Sequence, residues 1–399
     1  MTLTFSSTPS QELQARREQL QKTMSEKGVD GALIIQKTDL FYFSGTGQQG
    51  WLYIPCTGEP VLMVFKEYER ARAESHLTNV ISLVSPKSIP EVLQERGLAL
   101  PAVLGMELDV LPTNLFFQYQ KIFPAARIID ISLEIRLIRA IKSAYEIERV
   151  KASCQLADKV TARVADLVME GKSEVQLAGE VEAYARSLGH QGIVRMRLWG
   201  NELFYGHLMA GPAAAVPSYL ASPTGGEGVS TLVAQGAGYR KIHRNEPILV
   251  DYVFALNGYI ADQTRIFSLG QLPDDLMCAH QAMLDLQDTV KKLALPGVAS
   301  GDLYEQMLEL VAAKGYSEHF MGVGERRIRF TGHGVGLELD EFPFIAKGQK
   351  LRLAAGMVIA LEPKMVFPGR GVVGIENTHL VTDQGLETLT VTDEGICTV

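Results

Sequence analysis

The stretch Ile248-Leu249-Val250-Asp251-Tyr252-Val253-Phe254-Ala255-Leu256-Asn257-Gly258-Tyr259-Ile260-Ala261-Asp262-Gln263-Thr264-Arg265 decides how this chain is read. Two apolar runs flank Asn257-Gly258. That dipeptide favours the tight turn in which both central residues take positive φ, so the stretch predicts a β-hairpin. The hairpin sets Asp251 and Asp262 roughly opposite each other, and carboxylates that close repel unless a cation or a proton lies between them. Alone, each aspartate reads as a turn or surface residue. Asp251, however, follows the apolar run 248–250, where a solvated charge is out of place.

Further along, Thr331-Gly332-His333-Gly334-Val335-Gly336 sets a histidine between glycines, where backbone approaches closely and the ring can meet a ligand. Glu362 ends the run Met357-Val358-Ile359-Ala360-Leu361, and Glu376 follows Val372-Val373-Gly374-Ile375 in the same manner. Four carboxylates and one imidazole, most at the ends of hydrophobic strands, make a poor core and a good cation cage. Such oxygen-rich ligation suits manganese, iron, cobalt or zinc, with manganese or cobalt favoured. Four carboxylates also balance the charge of two divalent ions.

Upstream, residues 11–27 carry an amphipathic helical pattern, residues 31–35 read as a buried strand, and 52–55 and 60–65 form a hairpin signal. This short alternation of α and β signals ends near residues 131–142, where a long helical pattern over 146–170 begins. The chain is therefore expected to hold two domains, residues 1–137 and 138–399. Within the second, Gly171, Leu177 and Gly189 are matched by Gly297, Leu303 and Gly315 at an offset of 126 residues. The pattern points to a duplicated α+β unit with a cleft between its halves.

The 399 residues are 46% hydrophobic and 21% charged, the balance of a globular protein. The net charge of −8 argues against a nucleic-acid partner and against a polybasic membrane anchor. No apolar run nears the ~20 residues that span a bilayer, and residues 1–10 lack the plan of a signal peptide. Cys56, Cys154, Cys278 and Cys397 are widely spaced and suit a reducing cytoplasm.

The five cage positions resemble those of the pita-bread metallopeptidases: methionine aminopeptidase, aminopeptidase P, prolidase and their relative creatinase. The order Asp, Asp, His, Glu, Glu matches, as do Gly258-Tyr259, Asp262-x-Thr264-Arg265, Glu362-Pro363 and Ile375-Glu376. Ile141-Lys142-Ser143 with Glu146 resembles the join between the two domains of the prolidase and creatinase branch. The resemblance implies an α+β fold, with a smaller α/β creatinase-type N-terminal domain before a duplicated pita-bread domain. It implies two divalent ions bridged by Asp262 and Glu376, with Asp251 on one ion and His333 and Glu362 on the other. An activated water between them would attack a peptide bond, with Glu362 taking its proton. Arg265 is left with two roles, orienting a carboxylate or making a surface salt bridge. Relatives are commonly dimers, so a homodimer is expected, acting on a peptide or small amide.

Three departures touch the substrate end. Ser218 and Asp340 stand where the family usually has histidines, and Gly374 where it usually has an arginine before the last ligand. An ionised aspartate cannot donate to a scissile carbonyl. Either His207 or His243 takes over, or the substrate is not a standard Xaa-Pro peptide; creatinase-like chemistry on a non-peptide C–N bond is the alternative. A non-catalytic binding protein is disfavoured by the complete ligand set. The glycine-rich residues 224–239 read as a loop, either a lid or a surface excursion. Trp51 reads as a hairpin residue or one reaching a neighbouring subunit. Gly45-Thr46-Gly47-Gln48 lacks the Lys-Ser/Thr of a nucleotide loop.

Overall fold

In the computed structural model, residues 7–197, 205–220 and 222–399 are described, so the first six residues of the polar start lie outside them. The chain divides into two compact units, Met1–Arg139 and Ala140–Val399.

The first unit holds α1 (Ser10–Lys27), β1 (Gly31–Ile34), α2 (Lys37–Ser44), β2 (Gly50–Pro55), β3 (Val61–Val64), α3 (Tyr68–Glu74), β4 (Val80–Ser82), α4 (Ile89–Glu95), β5 (Val103–Met106), α5 (Thr113–Ile122), β6 (Arg127–Asp130) and α6 (Ser132–Ala140). Helix α1 buries Leu13, Leu20 and Met24 and stops at Gly28, whose φ of 65° is open to glycine at no steric cost. The strands form one sheet in the order β4-β3-β2-β1-β5-β6, antiparallel from β1 through β3 and parallel outside them. Leu33, Tyr53, Met63, Leu104 and Phe123 share its core. Trp51 pairs with Met63 across the β2–β3 hairpin, and its indole N–H donates to Tyr119 at 2.6 Å.

The second unit opens with α7 (Ala144–Leu167) and α8 (Glu174–Ser187), each started by a capping box, Ser143 with Glu146 and Ser173 with Gln176. Then come β7 (Gly206–Ala210), β8 (Ile248–Leu256), β9 (Tyr259–Ser268), α9 (Asp274–Leu293), α10 (Ser300–Ala313), β10 (Phe330–Gly334), β11 (Glu341–Ala346), β12 (Val358–Leu361), β13 (Lys364–Phe367), β14 (Gly371–Gly374), β15 (Asn377–Thr382), β16 (Gly385–Thr388) and β17 (Cys397–Thr398). The duplication is visible in the helices. Helices α8 and α10 are both 14 residues long and begin 126 residues apart, and Leu177 and Leu303 are buried in each. A long helix precedes each, and strands follow. The sheets run β17-β9-β8-β7, β11-β10-β12-β15-β16 and β13-β14. Helices α9 and α10 cover the second half through Met283, Leu286, Met307 and Val311, which pack with Met357, Ile359, Leu361 and Ile375.

Candidate metal centre

The hairpin forms as expected, with Asn257 at φ 52° and Gly258 at φ 92°. Its register corrects one detail: Asp251 pairs with Thr264, and Asp262 with Val253. The two aspartates are diagonal rather than opposite, yet a step of two residues keeps both on one sheet face. Strand β9 reaches the other half through an isolated bridge from Thr264 to Glu376. Thr264 Oγ1 donates to Glu376 Oε2 at 2.8 Å, and the Asp262 amide donates to Thr378 Oγ1 at 2.9 Å. Two carboxylates from separate strands are thereby locked side by side.

His333 lies on β10, beside Ala360 of β12, which delivers Glu362 just beyond its end. His333 Nε2 faces Asp262 Oδ2 at 3.7 Å, Glu362 Oε1 at 3.8 Å and Glu376 Oε1 at 3.9 Å. Ligand atoms about 2.1 Å from one ion stand roughly 3–4 Å from each other, so this spacing fits one cation. Asp262, His333 and Glu376 offer atoms that all lie within 4.8 Å of one another. The buried Asp262 Oδ1 has no hydrogen-bond partner among the described residues, as expected of an atom that takes a cation. On the far side of the ring, Nδ1 stands 3.2 Å from the Gly334 carbonyl and 3.6 Å from Asp340 Oδ1. A carbonyl only accepts, which puts the proton on Nδ1 and leaves the Nε2 lone pair for the ion.

The other side of the cage holds a residue that the reading of the sequence passed over. The ammonium of Lys364, fully buried on β13, donates to Asp251 Oδ2 at 3.0 Å, Glu362 Oε2 at 2.9 Å and Glu376 Oε2 at 2.8 Å. An ammonium has three N–H bonds and no acceptor, so its donors are all used. Glu362 and Glu376 thus turn one oxygen to His333 and the other to Lys364. The residues present fit an ion beside His333. They do not fit a second one among Asp251, Glu362 and Glu376, because Lys364 is there. Its signal was a lysine in an otherwise apolar strand, two residues after a candidate ligand.

Charges in the cage are strongly coupled. Burial pushes the Asp262 carboxyl well above its usual range, and Glu376 and Asp251 add to this. Burial likewise raises Glu376, to about 8, against the pull of Lys364. Burial alone would depress Lys364, but Asp251, Glu362 and Glu376 outweigh it and hold the ammonium charged. For His333, burial is outweighed by Asp340, Glu362 and Asp262, and the imidazole is more basic than usual.

Gly374 explains itself beside Lys364. The two are register partners in β13–β14. Gly374 has φ 151°, and a Cβ there would meet the Pro363 carbonyl at 2.5 Å, Lys364 Cα at 2.7 Å and Lys364 Cγ at 3.1 Å. On this backbone position 374 has room for glycine alone.

The remaining expected residues fall as follows. Arg265 makes no surface salt bridge: only 1% exposed, it donates to the main-chain carbonyls of Glu376, Thr392 and Asp393. It positions the backbone of Glu376 and leaves the carboxylate to the cage. His207 lies on β7 opposite Asp251, 126 residues before His333, so it is the first half's counterpart of that ligand. Its Nδ1 is 3.1 Å from Thr224 Oγ1, and burial lowers its pKa to about 4. Ser218 donates to the Ala234 carbonyl at 2.5 Å and lines a cleft of about 800 Å³ with Leu220, Arg326 and Val366. His243 is exposed on a loop. Residues 224–239 are tied down at Gly226, Gly228 and Gly236 by backbone hydrogen bonds, and Leu232 at the tip is 85% exposed.

A duplicated α+β scaffold with carboxylates and a histidine converging from both halves defines a metal-dependent hydrolase of pita-bread architecture. The chain belongs to metallopeptidase family M24, which it matches over residues 148–383, and carries a creatinase/prolidase N-terminal domain over residues 16–141. It is similar to the Xaa-Pro dipeptidase of Pyrococcus furiosus, with 28% identity over 388 residues, 96% of this chain and 100% of the other. Among solved structures it resembles the prolidase from Pyrococcus horikoshii OT3 (TM-score 0.79, 26% identity, 95% of this chain and 99% of that one). It also shares the fold of the Xaa-Pro dipeptidase from Bacillus anthracis (TM-score 0.83, 23% identity, 97% and 100% covered).

Proposed function

We propose that this protein hydrolyses a peptide bond in a dipeptide or at the amino end of a short peptide, with the help of a divalent ion, manganese or cobalt being favoured. The observation that carries the reading is the meeting of Asp262, Glu362 and Glu376 on His333 Nε2 at 3.7–3.9 Å. Full-length likeness to a protein named Xaa-Pro dipeptidase makes Xaa-Pro bonds the first class to test. When bound, the ion supplies a water of lowered pKa and polarises a carbonyl. Asp262 and Glu376 place negative charge around that position, and Glu362 Oε1 is the proton acceptor facing it. Asp340 and the Gly334 carbonyl hold the His333 ring.

A second reading, hydrolysis of a non-peptide amide, draws on the departures. Ser218 gives its proton to Ala234, and Asp340 is turned to His333, so neither offers a donor to a scissile carbonyl. His207, beside Asp251, is the donor we assign instead. The four cysteines are unpaired, which suits a reducing cytoplasm, and we carry the homodimer forward as part of the proposal.

The test is a panel of Xaa-Pro dipeptides, other dipeptides, tripeptides and small amides, run on protein stripped by chelation and reloaded with Mn, Co, Fe or Zn. Peptide cleavage that disappears on chelation and in Asp262→Ala supports the first reading. Turnover of another amide with no peptide cut favours the second. Activity indifferent to both chelation and the substitution defeats both.

A further inference from the structure

We propose that the site takes one divalent ion, held by Asp262, His333, Glu362 and Glu376, and that the Lys364 ammonium stands permanently in the place of a second. The inference rests on the metal-dependent reading above. Its geometry is direct. Lys364 Nζ lies 2.8–3.0 Å from one oxygen each of Asp251, Glu362 and Glu376, and those three oxygens are the ones a second ion would need. A divalent ion bonded to them would sit nearly on top of Nζ, and two cations cannot share that position. The opposite oxygens of Glu362 and Glu376, with Asp262 Oδ2, turn to His333 Nε2. Asp262 Oδ1 is buried with no hydrogen-bond partner among the described residues.

Gly374 lies across the β13–β14 pair from Lys364, where a Cβ would strike the Pro363 carbonyl and Lys364 Cα, so no side chain from that position competes with the lysine for the cage. The lysine is no stray surface residue: it has no exposed surface to retreat to, and a buried ammonium is retained only among carboxylates. Asp251, assigned to an ion by resemblance, here serves the lysine.

Metal stoichiometry decides the matter without reference to activity. Protein loaded with Mn²⁺ and dialysed to equilibrium is expected to hold one ion per chain and to give the spectrum of an isolated Mn²⁺ by electron paramagnetic resonance. Lys364→Ala is expected to take up two, with the spectrum of a coupled pair. Lys364→Ser, which likewise vacates the Nζ position, serves if the alanine variant fails to fold. Asp251→Asn should keep the single ion, whereas Asp262→Asn should lose it. Two coupled ions in the wild type, or one ion in the folded Lys364 variants, would overturn this inference and leave the proposed function standing. No bound ion in the wild type, with activity unmoved by chelation, would sink both.

Discussion

At the scale of single residues, the cage separates chemistry from support. His333 is useful to a cation only while its proton stays on Nδ1, and Asp340 stands 3.6 Å from that nitrogen. Partners of this kind orient a ligand ring and raise its basicity, and losing one typically costs roughly 10–100-fold in metal affinity. Asp340→Ala is therefore expected to weaken Mn²⁺ binding by roughly 10–100-fold, read by titration calorimetry, with the fold intact. Asp340→Asn, which keeps a polar oxygen beside Nδ1 and tolerates the φ of 63° at this position, should lose less. Equal losses in both variants would mean that the charge, and not the polar oxygen, matters.

At the scale of elements, the β13–β14 pair does what no single motif shows. It carries Lys364 into the cage and brings Gly374 against it. Gly374→Ala places a Cβ 2.5 Å from the Pro363 carbonyl on a backbone that side chains avoid. Strain of this type costs about 1–3 kcal/mol, so the variant should lose at least that much stability in urea unfolding. A loss under a few tenths of a kcal/mol would show that the strands separate easily. The Asn257-Gly258 hairpin, by contrast, was legible residue by residue, because turn type follows from local φ preferences. Its register follows from the same dipeptide, since a two-residue turn at 257–258 sets Asp251 opposite Thr264 and Asp262 opposite Val253. Taking the two aspartates as facing each other left that count out.

At the scale of the whole molecule, buried imidazoles set a limit to acid tolerance. His379, on β15, is fully buried with neither ring nitrogen bonded among the described residues, and burial, with Lys291 and Arg265 adding, lowers its pKa to about 3. In the unfolded chain the same group titrates near ~6.5. The depressed value means that the unfolded state binds the extra proton first, so stability is undiminished above ~6.5 and falls as pH drops toward the folded value. Other groups titrate in this range too, the raised cage carboxylates among them. The clean measurement is a difference: relative to His379→Leu, wild type should lose about 1.4 kcal/mol per pH unit between pH ~6 and ~4. A gap that stays constant with pH would contradict the neutral buried imidazole.

The amino-acid sequence by itself determined the kinds of ligand, their order, the hairpin and the duplicated helices, because these rest on residue chemistry and on periodicities within a few turns of chain. It also carried the three departures, as bare absences. Only the tertiary structure decided what they mean, since a charge's role depends on which groups folding buries beside it. Asp251 and Glu376 lie 125 residues apart in the chain, yet both accept a hydrogen bond from one lysine on a strand between them. Burial of that ammonium among three carboxylates is a property of the packed molecule. It turns a cage read as room for two cations into one that already contains the first.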